Sequence, residues 1–160
     1  MDLQCKTATC SGCYCGAVRL TLTAIPTSVI NCHCSQCRRL GGAAYTTWVS
    51  FPRASLQVQG EEHTGRFQVT ANVERHFCRY CGTHVHSYDS RMPELVGVSA
   101  GVIQESIAIS PSAHFFIDDE APWHEASEDL PMNGGESAYD RVQDQMTGPQ
   151  ATNGAPGARD

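Results

Sequence analysis

Seven of the nine cysteines in this 160-residue sequence fall into three short clusters with the spacing of metal ligands. The clusters are Cys13-x-Cys15, Cys32-x-Cys34-x-x-Cys37 and Cys78-x-x-Cys81. Each cluster is short enough for its sulfurs to converge on one ion, and thiolates are ligands that zinc favours. An odd number of cysteines without a secretory signal argues against a disulfide framework. The sequence therefore predicts metal sites built from thiolates.

Counting divides the seven cysteines into four and three. Zinc takes four protein ligands in structural sites and three plus an open position in catalytic ones. If no cluster is split, the closed site is Cys13, Cys15, Cys78 and Cys81, and the open site is Cys32, Cys34 and Cys37. Gly16 and Gly82 follow the last cysteines of their clusters, where a tight turn requires conformational freedom.

Two other interpretations of the cysteines stay open. An iron–sulfur cluster fits less well, because C-x-C-x-x-C departs from the usual C-x-x-C-x-x-C pattern. Alternatively, both zinc sites are structural, and a distant histidine or Cys10 completes the second one.

Proton transfer at an open site would need a group that titrates near neutral pH, and histidine is the first choice. His33 lies inside the open-site loop. His84 and His86 are expected to share a strand face with Tyr88, because side chains two apart point the same way. We take His33, His84 and His86 as catalytic candidates and expect His114, between apolar neighbours, to be a core histidine.

Two arginines, Arg38 and Arg39, directly follow Cys37. Guanidinium groups bind carboxylates in a bidentate manner, so we predict that both bind an acidic substrate or cofactor and that Arg38 takes part in catalysis. The alternative is a solvent-facing turn that compensates the charge of the thiolates.

The elements that must position these residues look like β-strands. Residues Val18 to Ala24 alternate between apolar and polar side chains, which is typical of a half-buried strand. Further strands are predicted at 45–51, 55–59, 66–70, 73–77, 83–88, 95–100 and 113–117, between glycine and proline turn signals. No window of helical length has an apolar stripe before residue 136, so the sequence predicts a mainly β fold of antiparallel sheets.

The chain divides into three predicted parts: an arm at residues 1–11, one zinc domain at 12–125 and a polar tail at 126–160. The tail has few large apolar residues to offset the entropy of ordering. A short helix is compatible with residues 136–146, where Tyr139, Val142 and Met146 have helical spacing.

Charge and hydropathy exclude several classes of partner. The formal net charge is −6, with 11 lysines and arginines, so a basic surface for nucleic acid is not expected. No apolar run is long enough to cross a bilayer, and the first residues lack the apolar stretch of a signal peptide. The sequence predicts a cytoplasmic protein that acts on a small molecule, without a nucleic-acid or membrane partner.

Four segments carry a resemblance to a known family: SGCYCGAVRLTLT, NCHCSQCRRLGGAAYTTWVSF, ERHFCRYCGTHV and AHFFIDDEAPW. In this order and spacing, over about residues 12–125, the sequence resembles the glutathione-dependent formaldehyde-activating enzymes, also called the Gfa or centromere-protein-V-like family. The resemblance implies an Mss4-like fold of antiparallel sheets, and a zinc ion at each of the two cysteine sites named above. It also implies glutathione as a thiol cofactor and carbon–sulfur bond chemistry on aldehydes. His84, His86 and the long polar tail depart from the family pattern.

These observations predict a zinc-dependent lyase-class enzyme that makes or breaks a carbon–sulfur or neighbouring bond in a small carbonyl compound. One alternative is a zinc Lewis-acid lyase or cyclase that acts on a specialised metabolite without glutathione. Another is a zinc-stabilised binding module without catalytic activity.

Overall fold

The computed structural model describes residues 9–104, 107, 109–135 and 138–147, which form a mainly β fold. The first strands are β1 (Thr9–Gly12), β2 (Arg19–Leu22), β3 (Ser28–Cys32), β4 (Thr46–Pro52), β5 (Leu56–Gln59) and β6 (Thr64–Gln68). The later ones are β7 (Val73–Cys78), β8 (His84–Asp89), β9 (Leu95–Ser99), β10 (His114–Phe115) and β11 (Met132–Asn133). The helices are α1 (Ser35–Gly41) and α2 (Ala138–Thr147). The predicted fold class is confirmed.

The strands form two sheets. The smaller sheet has the order β1-β2-β5, and the larger has the order β11-β10-β3-β4-β9-β8-β7-β6. All pairings are antiparallel except those of β10, which runs parallel to both β3 and β11. The parallel edge carries His114 beside Asn31 at the end of β3, close to the second cysteine cluster.

One apolar core joins the two sheets. Leu20 and Leu22 of β2 pack in the same buried cluster as Val49 and Phe51 of β4. A second buried cluster lies next to the open-site cysteines and includes Ile30, Cys32, Cys37, Trp48, Phe115 and Val142. Each fully buried side chain of this size contributes about 1.5–3 kcal/mol, so both clusters hold the cysteine loops in place.

Strand β8 contains a β-bulge that alters which face its histidines occupy. His76 pairs with His86 and Phe77 pairs with His84, which leaves Val85 as an extra residue. An extra residue shifts the alternation of side chains by one position. His84 therefore lies on the face of Phe77, whereas His86 lies on the face of His76. The expectation that His84, His86 and Tyr88 share one face is wrong for His84, because the bulge separates it from the other two.

Helix α1 is a single short element that the apolar pattern did not predict. The Cys34 sulfur caps it by accepting a hydrogen bond from the Cys37 backbone N–H, and Gly42 ends it in the left-handed conformation. Helix α2 forms within the segment where a short helix was compatible with the sequence. None of the helices in the described residues is long and apolar enough to cross a membrane.

Candidate metal centres and their cavities

The closed cluster brings together four sulfurs from distant parts of the chain. One sulfur each from Cys13, Cys15, Cys78 and Cys81 lies within 4.8 Å of the others. The Sγ atoms of Cys13 and Cys15 are 3.6 Å apart, as are those of Cys15 and Cys78. A tetrahedral zinc site with bonds of about 2.3 Å has sulfurs separated by about 3.8 Å. This donor set fits zinc.

Two glycine turns shape the closed cluster. Gly16 and Gly82 have φ of +77° and +74°, a region that other residues rarely adopt. Their N–H groups donate to the carbonyls of Cys13 and Cys78, at 3.0 and 2.9 Å. The side-chain hydroxyl and then the backbone N–H of Thr83 lower the pKa of Cys81 to about 5, which favours the thiolate that a metal requires.

The open cluster lies where β3 runs into α1. Cys32 ends β3, Cys34 caps α1 and Cys37 is buried in its first turn. Their sulfurs lie within 4.8 Å of one another, with Cys32 and Cys37 3.3 Å apart. Among the side chains that the structure describes, no fourth cysteine, histidine or carboxylate joins this group. The set fits zinc with one position left for a further ligand.

Cys37 is the most heavily hydrogen-bonded of these sulfurs. It accepts from Arg75 Nη2 at 3.2 Å and from Trp48 Nε1 at 3.4 Å. The Arg75 guanidinium lies over the Trp48 ring, 4.2 Å from its centre. Hydrogen bonding with the Cys32 and Cys34 side chains, and then the Arg75 charge, hold the pKa of Cys37 well below its usual range. Cys37 is therefore the cysteine of this cluster that ionises most readily.

A cavity of about 160 Å³ opens in front of the three cysteines. Most of its walls are apolar, and Phe116 contributes from a left-handed backbone conformation, φ 58°. Its charged groups and a phenol come from β7, from β8 and the turn after it, and from α2: Arg75, Asp89, Arg91 and Tyr139. A pocket with apolar walls and a few convergent polar groups is typical of small-molecule sites.

Three of these polar residues hold one another. Arg91 makes a bidentate ion pair with Asp89, with nitrogen–oxygen distances of 2.9 and 2.7 Å. Tyr139 donates to Asp89 at 3.2 Å, and the Arg91 guanidinium lies 3.6 Å from the centre of its ring. Burial, and next the Asp89 charge, raise the pKa of Tyr139 to about 12. The phenol thus remains a hydrogen-bond donor.

A second cavity, of about 470 Å³, also borders Cys37 of the open cluster. Cys37, Trp48 and Arg75 line it as well as the first cavity, and His84 and Tyr45 belong to it alone. Burial, and then the charge of Arg75, lower the pKa of His84. A neutral imidazole therefore lies in the cavity that shares Cys37.

The other predicted site residues line neither cavity. His33 is fully buried, and its Nε2 lies 2.7 Å from Nδ1 of His114. His86 packs on His76, with ring centres 4.3 Å apart, on the face opposite to His84. Arg38 donates from Nε to the His33 carbonyl at 3.2 Å. Arg39 is exposed.

The arginines that do line the first cavity are Arg75 and Arg91, which sequence reasoning missed. Arg75 lies 38 positions from Cys37, and only the register of β7 in the sheet brings it there. Sequence spacing carries no signal for this contact. Of the two cysteines outside the clusters, Cys10 lies in β1 with its side chain outside the described part of the structure. Cys5 lies outside the described residues altogether.

Comparison with known proteins gives matches at the level of family, sequence and structure. The family model described as "Glutathione-dependent formaldehyde-activating enzyme" matches residues 8–119. A Halomonas elongata protein named "Putative glutathione-dependent formaldehyde-activating enzyme" is 35% identical over 121 residues, which cover 71% of this chain and 77% of that protein. A crystal structure of a Rhodobacter sphaeroides protein superposes with a TM-score of 0.53 at 26% identity. This match covers 62% of this chain and 91% of the Rhodobacter sphaeroides chain.

Proposed function

The chain belongs to the glutathione-dependent formaldehyde-activating enzyme family, and from this premise we propose that it is a zinc-dependent lyase-class enzyme. Its reaction joins a glutathione-type thiol to a small carbonyl compound, or reverses that addition. The carbon–sulfur bond forms as the thiol proton passes to the carbonyl oxygen, so the atoms balance without a redox partner. In the proposal, Cys13, Cys15, Cys78 and Cys81 hold a structural zinc, and Cys32, Cys34 and Cys37 hold the reactive one.

The observation that carries this proposal is the open cluster at the wall of a cavity. Three cysteine sulfurs converge without a fourth protein ligand among the described side chains, and the space beside them has the residue composition of a ligand site. Zinc in such a sulfur-rich site favours soft ligands and lowers the pKa of a bound thiol.

The chain's own residues then bind and orient the substrate. Arg75 is 6% exposed, and its Nε–H has no partner among the described residues. Its guanidinium supplies the positive charge that a carboxylate of a glutathione-type thiol requires, whereas the charge of Arg91 is already paired with Asp89. If Arg38 and Arg39 bind the substrate as predicted, they do so from outside both cavities.

His84 is the proposed proton carrier. Of the three histidines predicted as catalytic, it alone lines a cavity that also contains Cys37. Burial keeps its imidazole neutral, so the ring can accept the thiol proton and return it to the carbonyl oxygen.

A second function is favoured by the apolar walls of the first cavity. Ile30, Trp48, Val73, Met92, Leu95 and Phe116 all line it, and these side chains suit an apolar carbonyl compound better than a charged tripeptide. A lyase or cyclase that acts on such a compound without glutathione would use the same three cysteines.

The test is the rate of adduct formation between glutathione and formaldehyde, followed by exchange NMR, with zinc content measured for each variant. We expect Cys34→Ala to abolish turnover while the fold persists, since two thiolates hold zinc poorly. We expect His84→Gln to retain zinc and to lower kcat by about 10²- to 10⁴-fold. His63→Gln, in a surface turn beside Glu62, is the matched control and should behave like the wild type.

The outcomes separate the three functions. Full turnover in Cys34→Ala would overturn the enzyme proposal for this site. Binding of an apolar aldehyde without any response to glutathione would favour the second function. Loss of one zinc in Cys10→Ser would identify Cys10 as a fourth ligand and favour a structural binding module.

A further inference from the structure

A cluster of histidines lies next to the loop that carries the open-site cysteines. His33 sits between Cys32 and Cys34 in sequence, and its side chain contacts a different set of residues from theirs. Its ring centre is 4.9 Å from that of His114 and 6.0 Å from that of His124. One ligand atom each of His33, Glu120 and His124 lies within 4.8 Å of the others. Neither of the two cavities described above is lined by these three residues.

The cluster contains several buried polar atoms that lack a partner. Among the described residues, His33 Nδ1, His114 Nε2, Glu120 Oε1 and His124 Nε2 are buried without a hydrogen bond. His33 is 0% exposed and His114 is 3% exposed. An unpaired buried polar atom is costly, about 1–3 kcal/mol each, and native proteins rarely leave several together. A common ligand would satisfy those of His33, Glu120 and His124 at once.

The chemistry of these atoms suits a cation that accepts lone pairs. His33 Nδ1 and His124 Nε2 are unpartnered ring nitrogens among the described residues, and an imidazole nitrogen can offer a lone pair to a metal ion. Glu120 adds a negative charge and forms no ion pair within the described part of the chain. Arg38 lies near His33 but bonds to its carbonyl oxygen instead.

We propose that His33, Glu120 and His124 form a third metal site, separate from both cysteine clusters, for a divalent transition metal such as zinc. Two histidines and one carboxylate are a frequent ligand set for zinc and for ferrous iron. His33 Nε2 is engaged by His114 Nδ1 at 2.7 Å, which leaves Nδ1 for the metal. His114 is the positioning residue, because a hydrogen bond to the second ring nitrogen fixes the orientation of a ligating histidine.

A metal at this site would join two distant segments. It would connect the loop between β3 and α1, which carries Cys32 and Cys34, to the segment that follows β10. The third site would thereby fix the position of the loop that carries the open cysteine cluster. The proposed function does not depend on it.

The experiment is a zinc count on the full chain. Wild type, Glu120→Gln and His124→Ala are dialysed against the same buffered free zinc and examined by native mass spectrometry. We expect each variant to bind one zinc fewer than the wild type. X-ray absorption at the zinc edge should show imidazole nitrogen ligands in the wild type and none in Glu120→Gln.

A matched control is Glu74→Gln, because Glu74 pairs with buried His76 at 2.7 Å elsewhere in the sheet. It should bind as much zinc as the wild type. Equal zinc counts in wild type and Glu120→Gln, or a wild-type spectrum without imidazole ligands, would overturn the proposal. Glu120→Gln conserves shape, so it decides the matter even if His124→Ala fails to fold.

Discussion

At the residue scale, the sulfur of Cys37 is set apart by its donors. Two side-chain N–H groups, from Arg75 and Trp48, point at it, and both residues also line the two cavities. Hydrogen bonds to a ligand sulfur withdraw electron density from it and so tune the metal it binds. Arg75 therefore affects both the proposed metal and the proposed substrate.

Replacing Arg75 tests this double role. Arg75→Gln removes a charge-assisted hydrogen bond, which is worth about 1.5–3 kcal/mol, so kcat/KM for the thiol should fall by about 10- to 100-fold. Steady-state kinetics over a range of thiol concentrations gives the value. Arg66→Gln, at an exposed arginine paired with Glu61, should change little. A kcat/KM that stays at the wild-type level in Arg75→Gln would remove Arg75 from the site.

At the element scale, strand alternation was predictable and its interruption was not. Predicted strands at 73–77 and 95–100 match β7 and β9 to within a residue at each end. Strand β3 was missed because four of its five residues are buried, so its sequence lacks alternation. The bulge at Val85 has no sequence signal either, and it moved His84 to the face that bears Arg75. The alternation of apolar and polar residues indicates which face of a strand is buried, but it does not indicate where a bulge shifts the pairing with the next strand.

The opposite face of β8 provides a pH prediction. Burial, and next the charge of His76, lower the pKa of His86 from 6.5 to about 3. Above pH 6.5 the ring is neutral in both states. As the pH falls from there toward 3, the unfolded chain binds the proton first, so stability is lost. At about 1.4 kcal/mol per pH unit, the loss approaches about 2 kcal/mol by pH 5.

Urea unfolding at pH 7 and pH 5 measures this loss. His86→Gln should lose less stability between the two pH values than the wild type does, by up to about 2 kcal/mol. His63→Gln keeps the buried His86 and should follow the wild type. Equal losses in His86→Gln and the wild type would mean that the ring is accessible to protons in the folded state.

Helix α2 is the element that connects the predicted tail to the site. Val142 is 5% exposed and packs in the cluster that contains Cys32, Cys37 and Trp48. Tyr139, one turn earlier, lines the cavity and bonds to Asp89. The sequence signal for α2 was weak because its stripe contains few apolar residues. Tertiary contacts supply most of the stability of such a short helix.

Undocking α2 should open the cavity. Val142→Asp places a charge among apolar side chains, which costs several kcal/mol when unpaired, so the helix should separate from the sheet. Hydrogen exchange by mass spectrometry should then show fast exchange in 138–147 with protection retained in β3 and β4. Asp144→Asn, at an exposed position of the same helix, is the control. Slow exchange in α2 of Val142→Asp would show that the helix does not depend on this contact.

At the scale of the whole molecule, the cysteine partition was predictable and the cavities were not. Short spacings within a cluster constrain a metal site locally, so counting was enough to propose the four-and-three division that the sulfur positions also favour. Cavities depend on how two sheets and two helices pack. The residues that line them, such as Arg91 and Tyr139, are brought together only by that packing.

The closed cluster also connects the two sheets. Cys13 and Cys15 lie between β1 and β2 of the small sheet, whereas Cys78 ends β7 of the large one and Cys81 follows it. The open cluster instead occupies a single loop and helix next to β3. The two clusters should therefore contribute very differently to folding.

Removing one ligand from each cluster tests this difference. Structural zinc supplies about 10–16 kcal/mol in small zinc domains, which equals or exceeds the total stability of about 5–15 kcal/mol of a typical domain. Cys78→Ser should therefore lose the cooperative thermal transition, as followed by circular dichroism. Cys34→Ala should retain that transition, because β3 and α1 remain held by the apolar cluster around Trp48 and Phe115. A cooperative transition at the wild-type temperature in Cys78→Ser would mean that the apolar core alone joins the sheets and that the closed cluster has another role.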